Sequence, residues 1–156
     1  MLDLILRGGR VIDGSGEPPC AADVGIAGDR IVAVGRVAEP ARRTIDAGGL
    51  FVCPGFVDMH THSDVQLLAE PRHEAKVCQG VTLELLGQDG LSYAPVTDEV
   101  LEQLRAQLAG WNGDPPGFDW SWRTVREYLD RLDASGIAVN AAYLVPHGTL
   151  RLCAMG

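Results

Sequence analysis

Nothing in this sequence spells Cys-x-x-Cys. Its four cysteines, Cys20, Cys53, Cys78 and Cys153, lie far apart, which excludes a zinc ribbon and the disulfide framework of small secreted domains. Reduced, mostly buried thiols are expected instead. Long hydrophobic runs are also missing. The opening Met1-Leu2-Asp3-Leu4-Ile5-Leu6-Arg7 carries an acid at its third position and no apolar core, so it reads neither as a signal peptide nor as a membrane span. A cytoplasmic location without membrane contact is the expectation. Positive charge is scarce: 13 basic residues face 21 acidic ones, for a net charge of −8. A nucleic-acid surface or an anionic-membrane patch needs clustered Lys and Arg, so neither partner is expected, and the acidity reads as solubility.

What is there describes a folded globular protein. Of 156 residues, 46% are apolar and 22% charged, enough for a core and far from the composition of disorder. The first fifty residues show no helical period. Leu2 to Arg7 alternates up to Gly8-Gly9, read as a turn, and Val11-Ile12 runs into Asp13-Gly14-Ser15-Gly16. Ala22 to Ala27 precedes the tight-turn pair Gly28-Asp29, then come Arg30 to Val34 and Arg42 to Ala47. Residues 1–49 therefore read as a small β module.

From Leu50 the pattern changes. Phe51 to Met59 is a near-continuous apolar run, as expected of a strand buried on both faces. A short helix is read over Glu74 to Gln79 and a second buried strand over Val81 to Leu86. Thr97 to Ala109 is predicted as a helix with Thr97 as N-cap and Leu101, Leu104 and Leu108 on one face. Another helix is predicted over Trp122 to Leu132 and a third strand over Ile137 to Val145. Alternating strands and helices imply a parallel sheet with covering helices. Gly110 to Trp120 reads as an ordered loop in which Trp111, Phe118 and Trp120 seek burial.

His60 and His62 carry the chemistry. On a strand, residues two apart point to one face, and two imidazoles side by side suit a borderline divalent ion such as zinc. Alone, His-x-His is more often a pair of loop histidines on the surface. Here it directly follows an apolar strand, and Asp58 and Asp64 flank it as groups able to fix a tautomer.

These residues also carry a resemblance. Pro54-Gly55-Phe56-Val57-Asp58-Met59-His60-Thr61-His62-Ser63-Asp64 resembles the first-strand signature of the amidohydrolase superfamily, and the Leu2–Arg10, Val11-Ile12-Asp13-Gly14 and Gly28-Asp29-Arg30-Ile31 segments resemble its N-terminal β module. Gln79-Gly80-Val81-Thr82, Gly87-Gln88-Asp89-Gly90-Leu91-Ser92-Tyr93-Ala94-Pro95, Val139-Asn140-Ala141-Ala142 and His147-Gly148-Thr149-Leu150-Arg151 resemble its N-acyl-D-amino-acid deacylase (D-aminoacylase) branch. The resemblance implies an α/β fold: a small β module over residues 1–49, part of a β-sandwich, then the first strand–helix units of a TIM-like (β/α)8 barrel over residues 50–156. It implies His60 and His62 as metal ligands, with a divalent ion, Zn2+ first, as cofactor. Asp89 stands where that branch has a cysteine ligand; it is either a third ligand of harder character or a residue closing a Gly-rich turn. His147 is placed near the substrate, with a structural histidine as its alternative. Glu84 is a weaker ligand candidate, Arg151 a solvated or ion-paired residue, and His73 a surface residue.

A complete barrel takes roughly 250 residues, at about 30 per strand–helix unit. Residues 50–156 hold three units, so the barrel is incomplete and the general base is expected beyond Gly156. The implied activity is hydrolysis of small N-acylated D-amino acids by the parent enzyme. Residues 1–156 alone are expected to be inactive, with open strand edges that invite self-association. Two other readings remain: a cyclic-amide hydrolase of the hydantoinase or dihydroorotase type, and a non-catalytic, metal-poor relative.

Overall fold

The computed structural model describes all residues from 1 to 156, which divide into two compact units, 1–54 and 55–156. The first is all β. Strands β1 (Leu2–Val11), β2 (Cys20–Ala27), β3 (Arg30–Gly35) and β4 (Ala41–Asp46) form one sheet in the order β3-β2-β1-β4, and β5 (Phe51–Val52) pairs with the end of β1. β1 runs antiparallel to β2 and parallel to β4 and β5. Gly8-Gly9 is not a turn. The register passes from Leu6↔Val24 to Gly9↔Ala22, so one extra residue on β1 makes a bulge and the strand continues. Gly8 takes φ 70° there, and the Asp23 carboxylate captures its N–H at 2.8 Å. Leu2, Ile5 and Val37 form the small core.

In the second unit, β6 (Phe56–Asp58), β7 (Val81–Leu86) and β8 (Asn140–Tyr143) form a three-stranded parallel sheet with β7 central. The apolar run from Phe51 to Met59 is thus not one buried strand. Pro54 lacks the N–H a ladder needs, and the run splits into β5 and β6. Phe56 and Val57 are exposed on β6, an edge strand, and Phe51 on β5 is exposed as well. The helices are α1 (Gln66–Ala69), α2 (Glu74–Val77), α3 (Asp98–Asn112), α4 (Val125–Ser135) and α5 (His147–Met155). No helix is long and apolar enough to cross a membrane.

The two long helices begin where side chains satisfy their free N–H groups. Thr97 accepts from the Val100 N–H at 3.2 Å and starts α3. Thr124 and Glu127 form a reciprocal capping box that starts α4. The predicted start at Trp122 was early: Trp122 lies in the preceding loop, buried, its indole N–H donating to the Tyr93 carbonyl. Val100, Leu101, Leu104 and Leu108 of α3 and Tyr128 and Leu132 of α4 fill the main core with Leu67, Leu86 and Tyr93. Trp111 departs from expectation. It ends up 61% exposed, in the last turn of α3, which extends past Gly110 to Asn112, and outside the core against which Phe118 and Trp120 pack. The cysteines depart too: all four are free, but Cys20, Cys53 and Cys78, each at the end of an element, are exposed, and Cys153 within α5 is half-buried.

Candidate metal centre

The parallel sheet brings three strand ends to one side. His60 and His62 follow β6, the 3-10 turn Gln88–Gly90 follows β7, and His147 opens α5 after β8. This is the side on which parallel barrels build their sites. His60 and His62 lie beyond the last hydrogen-bonded residue of β6, in the loop, yet their rings still converge. His60 Nε2 is 3.4 Å and His62 Nε2 3.2 Å from Asp89 Oδ2, and all three donor atoms lie within 4.8 Å of one another. Ligands at ~2.0–2.1 Å from a tetrahedral ion stand about 3.3 Å apart, and the two His–Asp separations match that spacing. The side chains are 62% (His60), 26% (His62) and 50% (Asp89) exposed, leaving the open face that incoming ligands require.

Local sequence holds Asp89 in place. Its backbone is left-handed, φ 56° and ψ 18°, a region in which Asp is enriched among non-glycine residues. A Cβ on Gly87 would stand 2.5 Å from the Leu144 carbonyl oxygen, and one on Gly90 3.1 Å from the Gly148 nitrogen. The turn is therefore pressed against β8 and α5 on both sides of Asp89. Gln88, nearly buried, donates to the carbonyls of Met59 at 2.8 Å and Leu85 at 2.9 Å, which ties this turn to the histidine loop.

Asp64 does not reach the rings. It is buried, accepts from Ser92 Oγ and the Gly87 N–H, and its backbone carbonyl accepts from Tyr128. Burial pushes its carboxyl up, against those hydrogen bonds. Asp58 receives the His60 N–H at 3.2 Å and pairs with Lys76. The Lys76 hydrogen bond holds the Asp58 carboxyl below the usual carboxylate range. Glu84 is fully buried on β7, where its Oε1 lies 3.0 Å from His73 Nε2, away from the His60–His62–Asp89 group. His73 is 4% exposed, which corrects its reading as a surface residue: it precedes α2 with φ 43°, and that kink turns the ring inward onto Glu84. His147 is exposed at the start of α5, its backbone packed beside Gly90. Arg151 is exposed on the same helix. Trp111, unassigned by sequence reasoning, stacks on His62 with centroids 4.9 Å apart.

A sequence model of the amidohydrolase family matches residues 43–156. The chain is 43% identical over 155 residues, 99% of its length, to the N-acyl-D-glutamate deacylase of Alcaligenes xylosoxydans xylosoxydans. The crystal structure of D-aminoacylase superposes with a TM-score of 0.83 at 41% identity, covering 99% of this chain and 32% of that one. N-acyl-D-glutamate deacylase from Bordetella bronchiseptica, complexed with zinc and a phosphonate inhibitor, gives 0.81 at 39% identity, covering 99% and 31%. D-hydantoinase, at 22% identity and a TM-score of 0.53, shares the fold alone. The chain spans 30% of the length of the N-acyl-D-glutamate deacylase it matches.

Proposed function

This chain belongs to the amidohydrolase family, and from that premise we propose that it supplies the first part of the metal site of an enzyme that hydrolyses N-acyl-D-amino acids. The observation that carries the reading is the convergence of His60, His62 and Asp89 beyond the ends of adjacent parallel strands. His60 and His62 through Nε2 and Asp89 through Oδ2 would hold a divalent ion, zinc being the one found with the Bordetella relative. Such an ion, when bound, would supply Lewis acidity to the scissile carbonyl and lower the pKa of water to ~7. Water adds at the acyl carbon, the C–N bond breaks, and a carboxylate and a free amino acid leave.

The chain's own residues hold and orient. Gln88 and Asp58 fix the histidine loop through its backbone, and Trp111 shields one face of His62. His147 stands on the same side of the sheet, as a donor toward substrate. In this reading residues 1–49 are a β module completed into a sandwich by other strands, and residues 50–156 are the opening units of a (β/α)8 barrel. The proton shuttle then comes from later barrel strands. The similarity to N-acyl-D-glutamate deacylase and D-aminoacylase supports the D-amino-acid substrate class.

The test is an assay of the full-length protein against N-acetyl-D-amino acids, their L-enantiomers, hydantoins and dihydroorotate. Deacylation of D-substrates is expected. Turnover of cyclic amides alone would move the enzyme to the hydantoinase type, and no turnover with substoichiometric metal would mark a non-catalytic relative.

A further inference from the structure

Behind the histidine loop lies a set of charged groups that the reaction does not touch. Glu84 is 0% exposed in the middle of β7, where a carboxylate is tolerated only with partners. One oxygen, Oε1, is 3.0 Å from His73 Nε2 and 3.5 Å from Lys76 Nζ; the other, Oε2, has no hydrogen-bond partner. Lys76 projects from the single turn of α2 and does more than offset Glu84. Its ammonium donates to Asp58 Oδ2 and, at 3.3 Å, to Thr61 Oγ1. Asp58 Oδ1 in turn accepts the backbone N–H of His60, and Thr61 Oγ1 lies 2.7 Å from Ser63 Oγ. One cation therefore touches the chain before His60 and again between His60 and His62, and is anchored from behind by a buried carboxylate.

We propose that Lys76 is a positioning residue for the metal site: through Asp58 and Thr61 it sets the loop that aims His60 and His62 at Asp89. The inference rests on the reading of those three residues as ligands. The contacts all lie within residues 58–84, and the Lys76–Thr61 bond ties the lysine to the residue between the two histidines. A lysine needed only to neutralise Glu84 and Asp58 would have no reason to reach the residue between the two histidines. Loss of such outer contacts lowers metal affinity by about 10–100-fold.

The experiment uses the full-length protein loaded with Co2+, whose visible absorption reports ligand geometry. Lys76→Met is expected to shift the Co2+ spectrum and to release the ion to a chelator about tenfold faster or more. Lys76→Arg, which keeps a cation, is expected to return both toward wild type. Asp58→Asn cuts the same clamp while sparing the Lys76–Glu84 pair, and it should shift the spectrum and speed release relative to wild type, which keeps the test decisive where Lys76→Met folds poorly. Thermal melts run in parallel separate a positioning role from a packing role. Variants with a lowered melting point and an unchanged spectrum and release rate would overturn the inference alone. A wild-type protein that takes up no Co2+ would overturn it together with the reading of the site on which it rests.

Discussion

Asp89 holds a left-handed backbone between two glycines that β8 and α5 press from outside. Asn tolerates that conformation as well as Asp, whereas Ala does not. Two variants therefore separate charge from backbone. Asp89→Asn should keep the stability of the fold yet bind metal more than about tenfold more weakly, a loss at least as large as that of an outer-shell group. Asp89→Ala should lose both metal and about 1–2 kcal/mol of stability. Metal titration beside thermal melts reads the two effects. An Asp89→Asn protein of unchanged affinity would reduce the residue to a turn former. The histidine pair was legible because His-x-His after an apolar run is a local pattern. The network behind it was not. Lys76, His73 and Glu84 meet only when α2 and β7 pack, and no spacing in the sequence distinguishes an inward His73 from a solvated one.

At the scale of elements, the long helices were the most legible, because cap and stripe are written in neighbouring residues. Thr97 and Thr124 stop the chain from continuing upstream, and the apolar stripe decides which face is buried. Leu104, fully buried in α3, should cost roughly 2–5 kcal/mol as Leu104→Ala. Thr124→Ala should cost ~1 kcal/mol. Denaturant unfolding checks both, and a Leu104→Ala protein as stable as wild type would refute the core as described. The strands were harder to read. Gly8-Gly9 has the composition of a turn, and only pairing with Asp23 on β2 makes it a bulge. The run from Phe51 to Met59 has the composition of one buried strand, and Pro54 with the edge position of β6 divides it.

At the scale of the molecule, tyrosines expose the cohesion of the second unit. All three, Tyr93, Tyr128 and Tyr143, come from different segments and are largely buried. Burial pushes Tyr93 up to about 12 and raises the other two, Tyr128 well above the ordinary value of 10.0. A raised folded-state pKa means that the stability is fully present below the unfolded value near ~10 and is lost as pH rises through the folded one. Tyrosinate absorbance should thus stay low above pH ~10 and then rise together with unfolding; a gradual, independent titration would contradict the packing. Membership of the amidohydrolase family was legible because its motifs are spread along the chain. The third member of the cluster was only half legible, since Asp89 stands where the D-aminoacylase branch resembled by the sequence has cysteine. The central claim is that His60, His62 and Asp89 share one divalent ion. Elemental analysis of the full-length protein, wild type beside the His60→Ala/His62→Ala double variant, tests it most directly. The account predicts bound zinc-type metal in the wild type and its loss in the double variant, with the fold intact by circular dichroism. Equal metal in both proteins, or a wild type that neither carries metal nor takes it up when zinc is added, would contradict it.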